Sequence, residues 1–271
     1  ARGEYETALG HVDRLLRTTP SLHADVLPAL AQLAADPELR EALVSTLANS
    51  PPWRDAFLRP LYRSAEPETA DAILAGLKRK GALTREESAR WIENLMAHGD
   101  WSQAYARWAS ALPAPSALPL IYNGRFTQPP TGTGFDWRTP QIVGASVEIE
   151  PGAGAKIHFR ERRISRAGLE QALFLGPGSY RLTATMRPQG LTAERGLEWV
   201  VSCATNGSVA GHTPPIKGTS AWQPVEAQIR IPQGCEGQWL RLQNATRAPA
   251  LQNVSGTIEI RQVTMERSIN R

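Results

Sequence analysis

In the segment QWLRLQN, residues 238–244, Leu240 and Leu242 alternate with Trp239, Arg241 and Gln243. As a strand, this segment places its leucines on one face and the other three side chains on the opposite one. An indole beside a guanidinium and an amide can stack on the C–H face of a sugar ring while its neighbours hydrogen-bond the hydroxyls. YRLTATMR and VEAQIRI alternate in the same way and turn Arg181 and Arg230 outward. With His158, Arg160, Thr183, Thr185, Arg187, Glu226, Gln228, Glu259 and Arg261 they form an arginine-rich polar face if they share one sheet. Arginine pairs bidentately with carboxylates, which suits uronic, pyruvylated or sulfated sugars. If this half binds glycan, the expected site is Trp239 as platform, Arg241 and Gln243 beside it, and Arg181 and Arg230 lending charge. Two structural readings compete with it. In one, the helical region or a loop covers Trp239; in the other, the arginines form a solvated face with cross-strand pairs such as Arg230 with Glu259.

The remaining tryptophans of this half read differently. Trp199 shares a face with Leu197, Val201 and Cys203, which makes it core. Trp137 and Trp222 stand at strand entries and are expected to plug the ends of the fold rather than touch sugar. Catalysis finds little support: there is no G-x-S-x-G, H-E-x-x-H or phosphate loop, and the five histidines, at 11, 23, 98, 158 and 212, are scattered. A glycosidase needs only two carboxylates brought together in space, but the second half is poor in acids. The expectation is a protein that is not an enzyme and takes no cofactor or metal. Cys203 and Cys235 are the only cysteines, too few for a zinc site. Each lies beside an expected strand, so they form either a disulfide or two buried thiols. The disulfide is the expectation, and it would place the protein in an oxidising compartment. Three Asn-x-Ser/Thr triplets, at Asn206, Asn244 and Asn253, matter only in a eukaryotic secretory pathway.

Charge is unevenly divided. Residues 1–112 carry 13 Lys/Arg and 15 Asp/Glu, residues 113–271 carry 17 and 11, and the net is +4 for 271 residues. A basic second half suggests an anionic partner. Nucleic acid is not expected, because lysine is scarce and no basic helix, zinc finger or RNP-like motif occurs. No apolar run approaches the length of a membrane span. The chain opens inside a helical pattern, from which a longer protein is expected, with room for a signal peptide or an anchor before residue 1; the localisation expected from the disulfide is periplasmic.

The elements that must carry these residues fall into two blocks. Residues 1–112 read as about seven short helices. ADPEL offers Asp36 as N-cap with Pro37 at the first helical position, NSPPW offers Ser50 and Pro51 in the same roles, and TREE offers a capping box from Thr84 to Glu87. Gly99 ends one helix and Asp100 starts the next. Residues 113–119 are a proline-rich linker. From Leu120 the period becomes two, and turn signals such as EPGAG, LGPGS and TNGS separate short strands. The fold class expected is multidomain α plus β, with an α-solenoid-like helical domain (1–112) and an antiparallel β-sandwich (120–271).

GEYETALG and GDWSQAYA share Gly3/Gly99, Glu4/Asp100, Tyr5/Trp101 and Ala8/Ala104, a pattern that resembles the first helix of a tetratricopeptide repeat. The second half resembles galactose-binding-like carbohydrate-binding modules in the order of its elements. An apolar strand is followed by Asn-Gly-x-Phe, a Gly-rich loop and a Trp (YNGRFTQPPTGTGFDWR), then FLGPGSYRLTATMR, TSAWQPVEAQIRIP and GTIEIRQVTMER. That resemblance implies a jelly roll that contacts glycan. The combination is similar to tetratricopeptide accessory proteins of bacterial exopolysaccharide and O-antigen machinery. It implies a non-catalytic accessory role, with a protein partner on the helical half and a polysaccharide on the sandwich. The alternative is an interaction scaffold whose jelly roll no longer binds sugar. Many such modules bind calcium with an acid just after Asn-Gly-x-Phe and Asp residues in the last strand. Here those places hold Thr127, Arg261 and Gln262, so no calcium is expected.

Overall fold

Helix starts sit where side chains can satisfy the orphaned first N–H groups. Asp36 accepts from the backbone N–H of Glu38 and Leu39, with Pro37 at the first position of α3 (Pro37–Ala48). The Thr84–Glu87 box is reciprocal: Glu87 N–H donates to Thr84 Oγ1 at 3.1 Å, and Thr84 N–H to Glu87 Oε2 at 2.9 Å, opening α6 (Arg85–Ala97). Asp100 precedes α7 (Trp101–Ala109) without a side-chain cap bond. Ser50 is not an N-cap. It lies at φ 51°, and α4 (Arg54–Leu61) begins only after the turn through Pro51 and Pro52. The other helices are α1 (Arg2–Thr18), α2 (His23–Leu33) and α5 (Pro67–Arg79). The computed structural model describes residues 2–62, 67–113 and 118–268.

The chain divides into two compact units, Ala1–Ala97 and His98–Arg271. In the first, α1 packs on α3 and α3 on α5, while α2 packs on α4, so alternate helices form layers as in a solenoid. Leu9, Leu16, Leu43, Leu47, Phe57, Ile73 and Leu74 are buried there. Gly76 lets α5 approach α3, because a Cβ at that position would press into Val44. Arg54 is buried and fully engaged. It donates to both carboxylate oxygens of Glu87, at 2.8 and 2.6 Å, and to the carbonyls of Leu47 and Ala82. The two tetratricopeptide-like stretches differ in environment: Ala104 is fully buried, whereas Ala8 is exposed.

The second unit joins α7 to a β-sandwich. Its strands are β1 (Trp137–Arg138), β2 (Ala145–Glu150), β3 (Gly154–Arg163), β4 (Arg166–Leu173), β5 (Gly178–Ala193), β6 (Leu197–Cys203), β7 (Val209–His212), β8 (Gln223–Ile231), β9 (Gln238–Asn244) and β10 (Asn253–Arg267). They form two five-stranded antiparallel sheets, β1-β4-β9-β6-β7 and β2-β3-β10-β5-β8. The apolar halves of the alternations meet between the sheets: Ile157 and Phe159, Leu182 and Ala184, Trp199 and Val201, Leu240 and Leu242, Ile258 and Ile260. Trp199 is core, as its face predicted.

The expected boundary at residues 113–119 differs from this division, because α7 belongs with the sandwich. Of that linker, residues 114–117 lie outside the described residues. The reason is packing. Trp101 and Trp108, both buried, lie against Phe135, and Trp108 also meets Tyr122. The Gly-rich loop that opens the sandwich is held from within. Buried Asp136 accepts from Thr131 N–H, Thr131 Oγ1 and Trp137 N–H, while Trp137 Nε1 donates to the Asn123 carbonyl at 3.1 Å. Cys203 and Cys235 form a disulfide that ties the end of β6 to the turn before β9.

Candidate functional site

The five residues expected to bind glycan do not assemble. Trp239, Arg241 and Gln243 lie on β9, in the first sheet, with Leu240 and Leu242 buried beneath, so the register is the expected one. Arg181 on β5 and Arg230 on β8 are exposed on the second sheet. The outer faces of a sandwich point in opposite directions, so these arginines lend no charge to Trp239.

Trp239 is also taken. The Trp101 ring of α7 meets it at 5.9 Å between centroids and 86° between planes. The guanidiniums of Arg138 and Arg241 lie 4.9 and 4.7 Å from the centre of its ring. Arg241 Nε donates to Glu170 Oε2 at 2.8 Å, the two being paired across β9 and β4. Burial pulls the pKa of this guanidinium below its ordinary value, against the opposing pull of Glu170. Trp239 is half-buried on the outer face of the first sheet, with the Trp101 ring packed against it. Its register is the one read from the sequence, and α7 supplies the cover that the competing reading expected from the helical region or a loop.

The second sheet gathers the whole polar set. His158 and Arg160 lie on β3, Arg181, Thr183, Thr185 and Arg187 on β5, Glu226, Gln228 and Arg230 on β8, and Glu259 and Arg261 on β10. Register aligns Glu148, Lys156, Glu259 and Arg187 in one row across β2, β3, β10 and β5. The expected Arg230–Glu259 pair does not form, because β5 separates β8 from β10; Glu259 instead pairs with Arg187, whose Nε donates to Oε2 at 2.7 Å.

This row floors a cleft of about 630 Å³. Gly152, Ala153, Gly154 and Ala155 line its β2–β3 end, and Trp222, at the entry to β8, lines the other. Trp222 is half-buried, and it carries the guanidiniums of Arg261 and Arg187 at 4.5 and 4.9 Å from its ring centre. Of the two tryptophans expected to plug the fold, only Trp137 does so, fully buried and stacked on Phe126 at 5.1 Å. Trp222 is the functional candidate that sequence reasoning set aside. The signal that pointed to it was its place just outside the β8 alternation, which frees it from the core.

Other features limit the chemistry. Thr127 Oγ1 lies 3.4 Å from Asn123 Oδ1, and Arg261 lies over Trp222. Among the described residues no group of three or more His, Cys, Asp or Glu could hold a metal ion. No helix among them is long and apolar enough to cross a membrane. Asn244 is buried and accepts from Thr246 N–H, so that Asn-x-Thr triplet is closed to glycosylation as folded.

No protein-family model matches the chain. No curated protein matches it by sequence. Solved structures similar to it include a family 4 carbohydrate-binding module, with 15% identity and TM-score 0.42 over 55% of this chain and 99% of that one. A second is the TmCBM61 module in complex with β-1,4-galactotriose, with 16% identity and TM-score 0.33 over 56% of this chain and 100% of that one. A third is a carbohydrate-binding module of lichenase 5A from Cellvibrio mixtus in complex with cellotriose, with 13% identity and TM-score 0.31 over 48% and 92%.

Proposed function

We propose that this chain is a non-catalytic accessory protein of a bacterial surface or secreted polysaccharide, and that its sandwich contacts glycan at the Trp222 cleft. The observation that carries this is the half-buried Trp222 in a cleft floored by Glu148, Lys156, Glu259 and Arg187. A sugar needs an apolar plane for its C–H groups and donors and acceptors for its hydroxyls, and the cleft supplies both. Acceptors are the carboxylates of Glu148 and Glu150; donors are Lys156 and the two arginines. The layered helices of the first unit offer a surface for a protein partner, in the manner of a tetratricopeptide-like scaffold. The Cys203–Cys235 disulfide fits an oxidising compartment such as the periplasm.

A second reading has its own support. Because α7 covers Trp239, the outer face of the first sheet already serves packing, as it would in an interaction scaffold whose jelly roll no longer binds sugar. Glycan-array binding by the whole chain, repeated with Trp222→Ala, separates the two. Binding that the substitution abolishes supports the glycan reading; silence across neutral and acidic glycans supports the scaffold.

A further inference from the structure

The charges in the Trp222 cleft are equal in number but separated in space. Glu148 and Glu150 stand on β2, Lys156 on β3, Glu259 and Arg261 on β10, Arg187 on β5, and Trp222 at the entry to β8. Neighbouring strands lie about 4.8 Å apart, so β2 is about 14 Å from β5, three strands away. That exceeds the screening length of about 8 Å at physiological salt, and the β2 carboxylates are weakly felt at Trp222. At the Trp222 end, the charge of Glu259 is matched by Arg187. Arg261 is left with no carboxylate partner among the described residues, its guanidinium 4.5 Å from the centre of the indole.

A second observation concerns how Arg261 comes to be there. In the β10–β5 ladder Ile260 faces Met186 and Gln262 faces Thr185, so Arg261 is the extra residue of a β-bulge. Ile260 and Val263 both stay in the core, and Arg261 is exposed. A bulge gives up regular pairing and re-aims a side chain. Here it re-aims a cation onto the aromatic wall of the cleft.

From these two observations we infer that the cleft selects an anionic sugar at its Trp222 end and that Arg261 reads the acid group. This rests on the glycan-binding reading above. The planar guanidinium fork meets the two oxygens of a carboxylate, or two of a sulfate, while the sugar ring packs against the indole. The β2 end, with Glu148 and Glu150 beyond Lys156, takes hydroxyl-bearing units of the same chain, so an acidic oligosaccharide is bound in one direction only.

The test is an array of matched glycans, each displayed as uronate, as sulfate ester and as neutral counterpart, probed with the whole chain and with Arg261→Gln, Arg261→Lys and Trp222→Ala. We expect the strongest signals on acidic members. Titration of the best of them should show Arg261→Gln weakening binding about tenfold or more, with Arg261→Lys intermediate because it keeps the charge and loses the fork. About 0.5 M salt should mimic the loss. The uronate and sulfate arms identify which oxyanion is read. Equal binding of acidic and neutral members, or an Arg261→Gln variant of wild-type affinity, overturns the inference while binding that depends on Trp222 preserves the glycan reading. Silence on every glycan overturns both.

Discussion

The indoles of Trp101 and Trp239 meet edge to face, 5.9 Å between centroids, and Trp101 also lies directly over Gly237, at φ 76°. This contact makes α7 part of the sandwich unit. A Cβ on Gly237 would collide with the Trp101 ring, in a backbone conformation that L-residues rarely adopt. Trp101→Ala should therefore cost about 3–5 kcal/mol of the stability of residues 98–271, the range for emptying a large aromatic site. Gly237→Ala should destabilise in the same direction. Urea unfolding of the whole chain, followed by tryptophan fluorescence, measures both, and wild-type midpoints would show that α7 is only loosely held.

Trp222 and Trp239 should separate binding from folding. Trp222→Ala should leave the unfolding midpoint nearly unchanged and remove about 1–3 kcal/mol of glycan affinity, if stacking on sugar resembles stacking on nucleobases. Trp239→Ala should do the reverse, because its ring packs against the buried Trp101 of α7. Paired titration and melting curves on the two variants decide between these roles.

Reducing the Cys203–Cys235 bond releases a loop with a sequence separation of 32. Chain-entropy arithmetic puts the loss at about 3–4 kcal/mol. Denaturant midpoints with and without reductant should show it in the sandwich unit. Unchanged midpoints would mean that the bond adds little to a core already sufficient for folding.

In the helical unit, Glu87 does two tasks, capping α6 and neutralising buried Arg54. Glu87→Gln leaves a buried guanidinium without its counter-charge and should cost about 3–5 kcal/mol. Replacing both partners, with Arg54→Met and Glu87→Gln together, should recover part of that loss, because the uncompensated charge is gone. Equilibrium unfolding of the two variants checks the order; a double variant weaker than the single one would contradict it.

Local chemistry was legible in the residues themselves. The Asp36 and Thr84–Glu87 caps, the period-two strands and the inward leucines around Trp239 all follow from contacts within a few residues or from alternation along one strand. The same alternation turned His158, Arg187, Glu259 and Arg261 outward. It could not say that β3, β5, β8 and β10 belong to one sheet while β9 belongs to the other. Strand order is set by long-range pairing and by which faces bury together, and neither leaves a mark within a single strand. For that reason alternation alone can pair Arg230 with Glu259, which lies two strands away, and can join Arg181 and Arg230 to a platform on the opposite side of the sandwich.

The sequence by itself determined a helical region, an antiparallel sandwich and the faces on which polar residues lie, because these depend on periodicity and capping, while the two cysteines made a disulfide the expectation that the fold then closes. Tertiary structure alone decided what packs against each aromatic. The sequence set Trp239 on the outward face of a strand and Trp222 at a strand entry as a plug. α7 folds back onto Trp239, whereas the β10 bulge brings Arg261 to Trp222 and leaves that ring at the wall of a cleft. Solvent access to a side chain depends on what packs over it from elsewhere in the chain, and that is a property of the assembled surface rather than of the strand that carries it.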